Sequence, residues 1–192
     1  VEAALSGGRP ALDDARSARM AAFLRMVHVQ EEMDWLLYHL FGLVDREFAS
    51  GLGDPAFGLR PGLRAFEIIL ARAVSEGRQV TKWFELPERV LVTEVPEEWP
   101  ADYRALVEKR LRLIESNRMI GLLERPNCKR RWEIPAWEDL EHAALRSWLL
   151  DRLEAPAYWP AQELTSCARL ADIAGKDPEF LQVAELYRGR SD

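Results

Sequence analysis

Cysteine is almost missing from this chain: Cys128 and Cys167 are the only two in 192 residues. They lie far apart without Cys-x-x-Cys or Cys/His spacing, which excludes a zinc finger and a disulfide framework and fits a reducing cytoplasm. Histidine is nearly as scarce. His28 and His39 stand eleven residues apart, about three helical turns, too far to ligate one metal from one helix, so they read as surface or capping residues. No apolar run approaches the roughly 18 residues of a membrane span, and no signal-peptide core opens the chain. Cationic excess is lacking too. With 26 Lys and Arg against 32 Asp and Glu, a net charge of -6 and a pI of about 5.3, the surface as a whole cannot wrap nucleic acid, which needs many cations on phosphates. Any such contact has to be local. Recognisable catalytic motifs are absent as well.

What is present is enough apolar material for a core. Hydrophobic residues make up 48% and charged residues 30%, which sets the chain apart from disordered compositions. The length suits one domain with a small appendage. The pattern predicts a mainly α fold of about six helices, with at most a short extended pair near residues 80–95. Residues 1–12, holding Gly7, Gly8 and Pro10, read as a linker. A helical scaffold domain is expected over 13–154 and a C-terminal helical pair over 155–192. A chain opening on Val1 is compatible with a fragment of a longer protein.

The first helix is expected from Asp13 or Asp14, whose carboxylates can cap it. Ala22, Met26, Val29, Met33, Leu36, Leu40 and Leu43 follow at alternating spacings of four and three, which aligns them as one apolar stripe for packing against another helix. The acids Glu31, Glu32 and Asp34 then fall on a solvated face. Asp54-Pro55-Ala56-Phe57-Gly58 has the outline of a glycine-rich cofactor loop, but no buried strand precedes it, and it reads as a connection. Trp83, Phe84 and Trp99 are expected to anchor an irregular region. The third helix runs through Tyr103, Leu106, Val107, Arg110, Leu113 and Ile114. Later helices cover Trp137 to Glu154, Leu164 to Ala174, and a segment beginning at Asp177-Pro178. The last two have the outline of a helix-turn-helix, yet the second carries Glu179 and Glu185 without an internal Lys or Arg, which disfavours major-groove reading.

Residues 118–132 stand out. In an acidic protein this stretch holds five basic residues, Arg118, Arg125, Lys129, Arg130 and Arg131, against Glu124 alone. Lys129-Arg130-Arg131 is expected to leave a basic edge beside Trp132. Two readings stay open. The cations contact phosphates while Trp132 stacks or anchors the loop, or they pair with neighbouring acids while Trp132 fills the core.

Gln30 to Tyr38, Asn117 to Pro126, and Lys129-Arg130-Arg131-Trp132, with Trp99 to Glu108 and Leu181 to Gly189 in support, carry a family resemblance. The chain resembles the C-terminal region of PglX-type adenine-specific DNA methyltransferases of the phage growth limitation or BREX systems, related to single-chain restriction-modification enzymes. The resemblance departs at Glu85 to Val92, where the family has a His- and Ser/Thr-bearing loop, and at Cys128, where an aromatic is common. It implies a parent that uses S-adenosylmethionine and methylates adenine in double-stranded DNA in the cytoplasm, alongside other phage-defence proteins. The family's Asn-Pro-Pro-aromatic motif and cofactor loop are not in these residues, so no catalytic, cofactor or metal residue carries over to this chain. The candidate nucleic-acid contacts are Lys129, Arg130, Arg131, Trp132 and Arg125. The alternative is a non-catalytic module that docks other defence components.

Overall fold

The computed structural model describes residues 7–49, 59–85, 89–159 and 164–189. The Asp54 to Gly58 segment and part of the Glu85 to Val92 departure lie outside them. Among the described residues there are seven α-helices and no strand: α1 (Gly8–Leu40), α2 (Ala65–Ser75), α3 (Ala101–Ser116), α4 (Arg118–Leu123), α5 (Trp137–Glu154), α6 (Cys167–Ala174) and α7 (Pro178–Arg188). The mainly α expectation is met. Helix α1 begins at Gly8, earlier than Asp13, and absorbs Pro10 in its first turn, where a missing N–H costs no intrahelical bond. The seventh helix is α4, a single-turn piece inside what reads in sequence as a charged connection.

The chain forms two compact units, 1–20 with 134–192, and 21–133. In the first, Leu12, Trp137, Leu145 and Val183 form the core, with Trp148, Leu149 and Leu186 packed around it. Glu141 is wholly buried there and accepts from Trp137 Nε1 at 2.6 Å and Arg9 at 2.6 Å. Helix α7 is capped by Asp177. Its Oδ1 takes the N–H groups of Glu179 and Phe180, and its Oδ2 takes the Tyr158 hydroxyl at 2.6 Å and Arg152 Nε at 2.8 Å.

The second unit overturns the expected orientation of α1. The inward row is Phe23, Val27, Glu31 and Trp35, flanked by His28 and Glu32, all buried. The 4-3 stripe instead faces outward, with Met26 48%, Met33 43% and Leu40 69% exposed. The acids are not a solvated face, and His28 is not a surface residue. The reason is chemical: partners wait inside for these groups. Arg110 of α3 makes a two-pronged bridge to Glu32, at 2.8 Å and 2.7 Å, and Glu31 accepts from Trp35 Nε1 at 3.0 Å and the Ala65 N–H at 3.3 Å. A charge buried with such partners is tolerable, whereas an unpaired one is not.

Helices α2 and α3 pack together, and α4 packs on α3. Phe66, Leu70 and Trp83 form a second apolar cluster with Phe84 against it; Trp83 and Trp99 are buried anchors, as expected from sequence.

Candidate functional site

The basic stretch is built on a rigid approach. Helix α3 ends at Ser116, and Asn117 caps α4 by accepting the Met119 and Ile120 N–H groups at 2.9 Å and 3.2 Å. Gly121 lets α4 lie against α3, because a Cβ there would meet the Ile114 carbonyl oxygen at 2.8 Å. Ile120 is fully buried. Pro126–Cys128 then makes a 3-10 turn, which reverses the chain and delivers Lys129.

Lys129 is turned inward, and its side chain is almost fully buried. Its ammonium donates to Asp34 Oδ2 at 2.8 Å, to Tyr38 at 3.0 Å, and to Glu124 Oε1. Tyr38 donates in turn to Glu124 at 2.7 Å. Burial alone would lower the ammonium's pKa, but the charges of Glu124, Glu31 and Asp34 win and hold it well above the ordinary lysine value. Burial, with a contribution from Glu31, pushes Glu124 up to about 7 against the opposing pull of Lys129. Tyr38 is raised by burial and by Glu124. Lys129 is therefore the bolt of the loop and not part of its outer edge.

Past this point the backbone is clamped from beneath. Arg64, itself buried, donates NH1 to the Arg130 carbonyl at 3.2 Å. Arg89 donates NH2 to the Trp132 carbonyl at 3.3 Å and NH1 to the Trp83 carbonyl at 2.9 Å, and its guanidinium lies 4.2 Å from the Trp83 ring centre. Arg64 is fixed by Glu67, through contacts of 3.1 Å and 2.9 Å. Glu67 also takes Trp83 Nε1 at 2.8 Å and the Gly62 N–H at 2.7 Å. Burial would raise the Glu67 carboxyl, yet the Arg64 and Trp83 donors bring it below the usual carboxylate value.

With the carbonyls of residues 130 and 132 held inward, the side chains of Arg130 and Arg131 stand exposed, as does Arg125. The Arg130 guanidinium stacks 4.1 Å from the Trp132 ring centre. Arg131 reaches the Lys82 carbonyl at 3.4 Å and Glu133 at 2.7 Å. Trp132 is half-buried, edge-on to Phe23 with ring centres 6.1 Å apart. Arg130, Arg131 and Trp132 thus follow one another on the clamped loop, Arg125 is exposed ahead of the turn that leads into it, and Lys129 holds the loop in place.

The residues that sequence reasoning missed are Glu31, Glu32, Arg64, Glu67 and Arg89, a polar interior in which Arg64 and Arg89 hold the loop backbone. One signal was available. Arg110 sits on the same face of α3 as Val107 and Ile114, and a lone arginine on a core face calls for a buried acid. Among the described residues no group of three His, Cys, Asp or Glu could hold a metal ion, and no helix is long and apolar enough to cross a membrane.

Comparison with known proteins agrees with the resemblance carried by these residues. The chain is 42% identical over 189 residues to the adenine-specific methyltransferase PglX of Streptomyces coelicolor, a match covering 94% of this chain but 16% of that protein. No solved structure matches. A family model described as a domain of unknown function, DUF7008, matches residues 26–192, and the chain belongs to that family.

Proposed function

We propose that this chain is the helical, non-catalytic C-terminal domain of a PglX-like, site-specific DNA adenine methyltransferase. In this reading the parent serves a bacterial phage-defence system of the BREX or restriction-modification kind, in the cytoplasm. It would use S-adenosylmethionine bound elsewhere in the longer polypeptide. The observation that carries the proposal is the 42% identity to a PglX methyltransferase over 94% of the chain.

The domain's part is to support DNA binding or specificity. Arg125, Arg130 and Arg131 are exposed on or beside the clamped loop, and a clamped backbone presents guanidinium groups with little ordering cost. Such groups neutralise phosphates and position a duplex without reading its sequence. The net charge of -6 requires any such contact to be local. Fluorescence anisotropy with a labelled duplex tests the assignment: replacing the three arginines by alanine should weaken binding and flatten the slope of log K against log salt by about 2–3. Unchanged affinity and slope would remove the loop from the DNA surface.

A second reading, a module that docks other phage-defence proteins, draws on a different observation, the apolar outward face of α1.

A further inference from the structure

Two buried arginines turn their donors to the main chain of the basic loop. Arg89 is 6% exposed. Its NH1 and NH2 span the carbonyls of Trp83 and Trp132, its Nε is buried without a partner, and among the described residues it forms no ion pair. Burial lowers its pKa from the ordinary arginine value; Glu67 opposes this, and Arg64 and Arg131 add to it. A cation taken out of water with no carboxylate in contact is costly, and an apolar side chain in its place would serve a core as well or better. What this cation does that a core residue could not is tie two main-chain oxygens far apart in the chain.

Arg64 makes the companion hold. It is 1% exposed, is paired with Glu67 at 2.9 Å, and gives NH1 to the Arg130 carbonyl at 3.2 Å. The two held carbonyls, of residues 130 and 132, flank Arg131, and Arg130 carries one of them. A loop that must be ordered as it binds loses affinity to that ordering, and one ordered beforehand does not. We propose that Arg64 and Arg89 are positioning residues for phosphate contact: by holding the carbonyls of Arg130 and Trp132 they fix the loop before a duplex arrives, so that Arg130 and Arg131 meet phosphates already in place. The inference rests on the DNA reading of Arg125, Arg130 and Arg131, and names what sets the strength of that contact.

Arg89→Lys keeps the charge but cannot span two carbonyls, and Arg89→Met removes both. Anisotropy with a labelled duplex should find each about three- to tenfold weaker than the wild type. The slope of log K against log salt should not change, because the phosphate contacts themselves remain. Urea midpoints should stay close to the wild type, a combination that a folding defect does not produce. Arg64→Lys keeps a cation beside Glu67 and gives up the reach to Arg130, which repeats the test at the other carbonyl. Limited trypsin digestion without DNA reads the hold directly, since cleavage after Arg130 needs the carbonyl that Arg64 holds. That bond should be cut about tenfold faster in either lysine variant, with cleavage after exposed Arg112 of α3 unchanged. Wild-type affinity in Arg89→Lys overturns the proposal. So does a flattened salt slope, which would make Arg89 itself a phosphate contact, and so does faster cleavage at Arg112 as well, which would mean general opening. The DNA reading fails separately: if the triple alanine variant of Arg125, Arg130 and Arg131 binds as the wild type does, the edge falls and this proposal with it. A weakened triple variant beside an unaffected Arg89→Lys leaves the edge standing and removes only the positioning role.

Discussion

Arg110 grips Glu32 with both prongs of its guanidinium, and neither side chain touches solvent. The fork is completed by the Phe48 carbonyl, which accepts from Nε at 3.0 Å and NH2 at 2.8 Å, and by the Tyr103 hydroxyl, which donates to Glu32 at 3.1 Å. The arginine also lies 4.8 Å from the Trp35 ring centre. One contact thus ties α1, α3 and the turn after α1. Removing a single partner strands a buried charge. Arg110→Ala should cost about 3–5 kcal/mol in chemical denaturation, whereas the paired change Arg110→Met with Glu32→Leu should cost less than the single one. Additive losses would show that the fork is not a unit.

Lys129 and its two neighbours should separate cleanly by effect. Lys129→Met leaves Glu124 and Asp34 without their cation and should destabilise the protein by about 2–4 kcal/mol. Arg130→Ala and Arg131→Ala, on exposed side chains, should stay within about 0.5 kcal/mol each. Urea melts of the three variants, read beside duplex affinities, check this: the stability loss should fall on the lysine and the salt-sensitive binding loss on the arginines.

Acidity acts through Glu124. Its carboxyl is raised from 4.5 in the free residue to about 7 by burial, among Lys129, Tyr38 and Glu31. The folded state therefore holds this proton more tightly than the unfolded chain. The stabilisation is complete below the unfolded value and is lost as pH rises through about 7. Between pH 5 and pH 8 the melting temperature should fall further in the wild type than in Glu124→Gln, corresponding to on the order of 2–3 kcal/mol from this one group. Parallel profiles would show that Glu124 does not titrate in this window.

Asp177 works in the opposite sense. Arg152 and Tyr158, followed by a backbone N–H, hold its carboxyl well below the aspartate value of 3.8. Its contribution is present above that value and fades as pH falls through the lowered one. Asp177→Ala removes the α7 cap and should cost about 1 kcal/mol at neutral pH. Thermal melts at pH 7 and pH 3 should show the variant's deficit narrowing in acid.

The helical class, the anchoring by Trp83 and Trp99, and the prominence of residues 118–132 could all be read from the sequence, because periodicity, aromatic content and local charge are local properties. The orientation of α1 could not. Phe23, Val27 and Trp35 form an apolar row as plausible as Met26, Val29 and Met33, and what decides between them is the placement of Arg110 and Ala65 far along the chain. Lys129 was hidden for the same reason. Three adjacent cations look alike in sequence, and only the cage of Asp34, Tyr38 and Glu124 distinguishes the first from the other two. Helix α4 escaped notice because one turn of helix is too short to show a period.

The clamp under residues 130–132 uses carbonyl oxygens, which every amino acid possesses. The loop's path is therefore indifferent to which side chains it displays. Arg130 and Arg131 can be exchanged for other residues while Arg64, Arg89 and Lys129 keep the same trace. The loop is a fixed mount with interchangeable fittings.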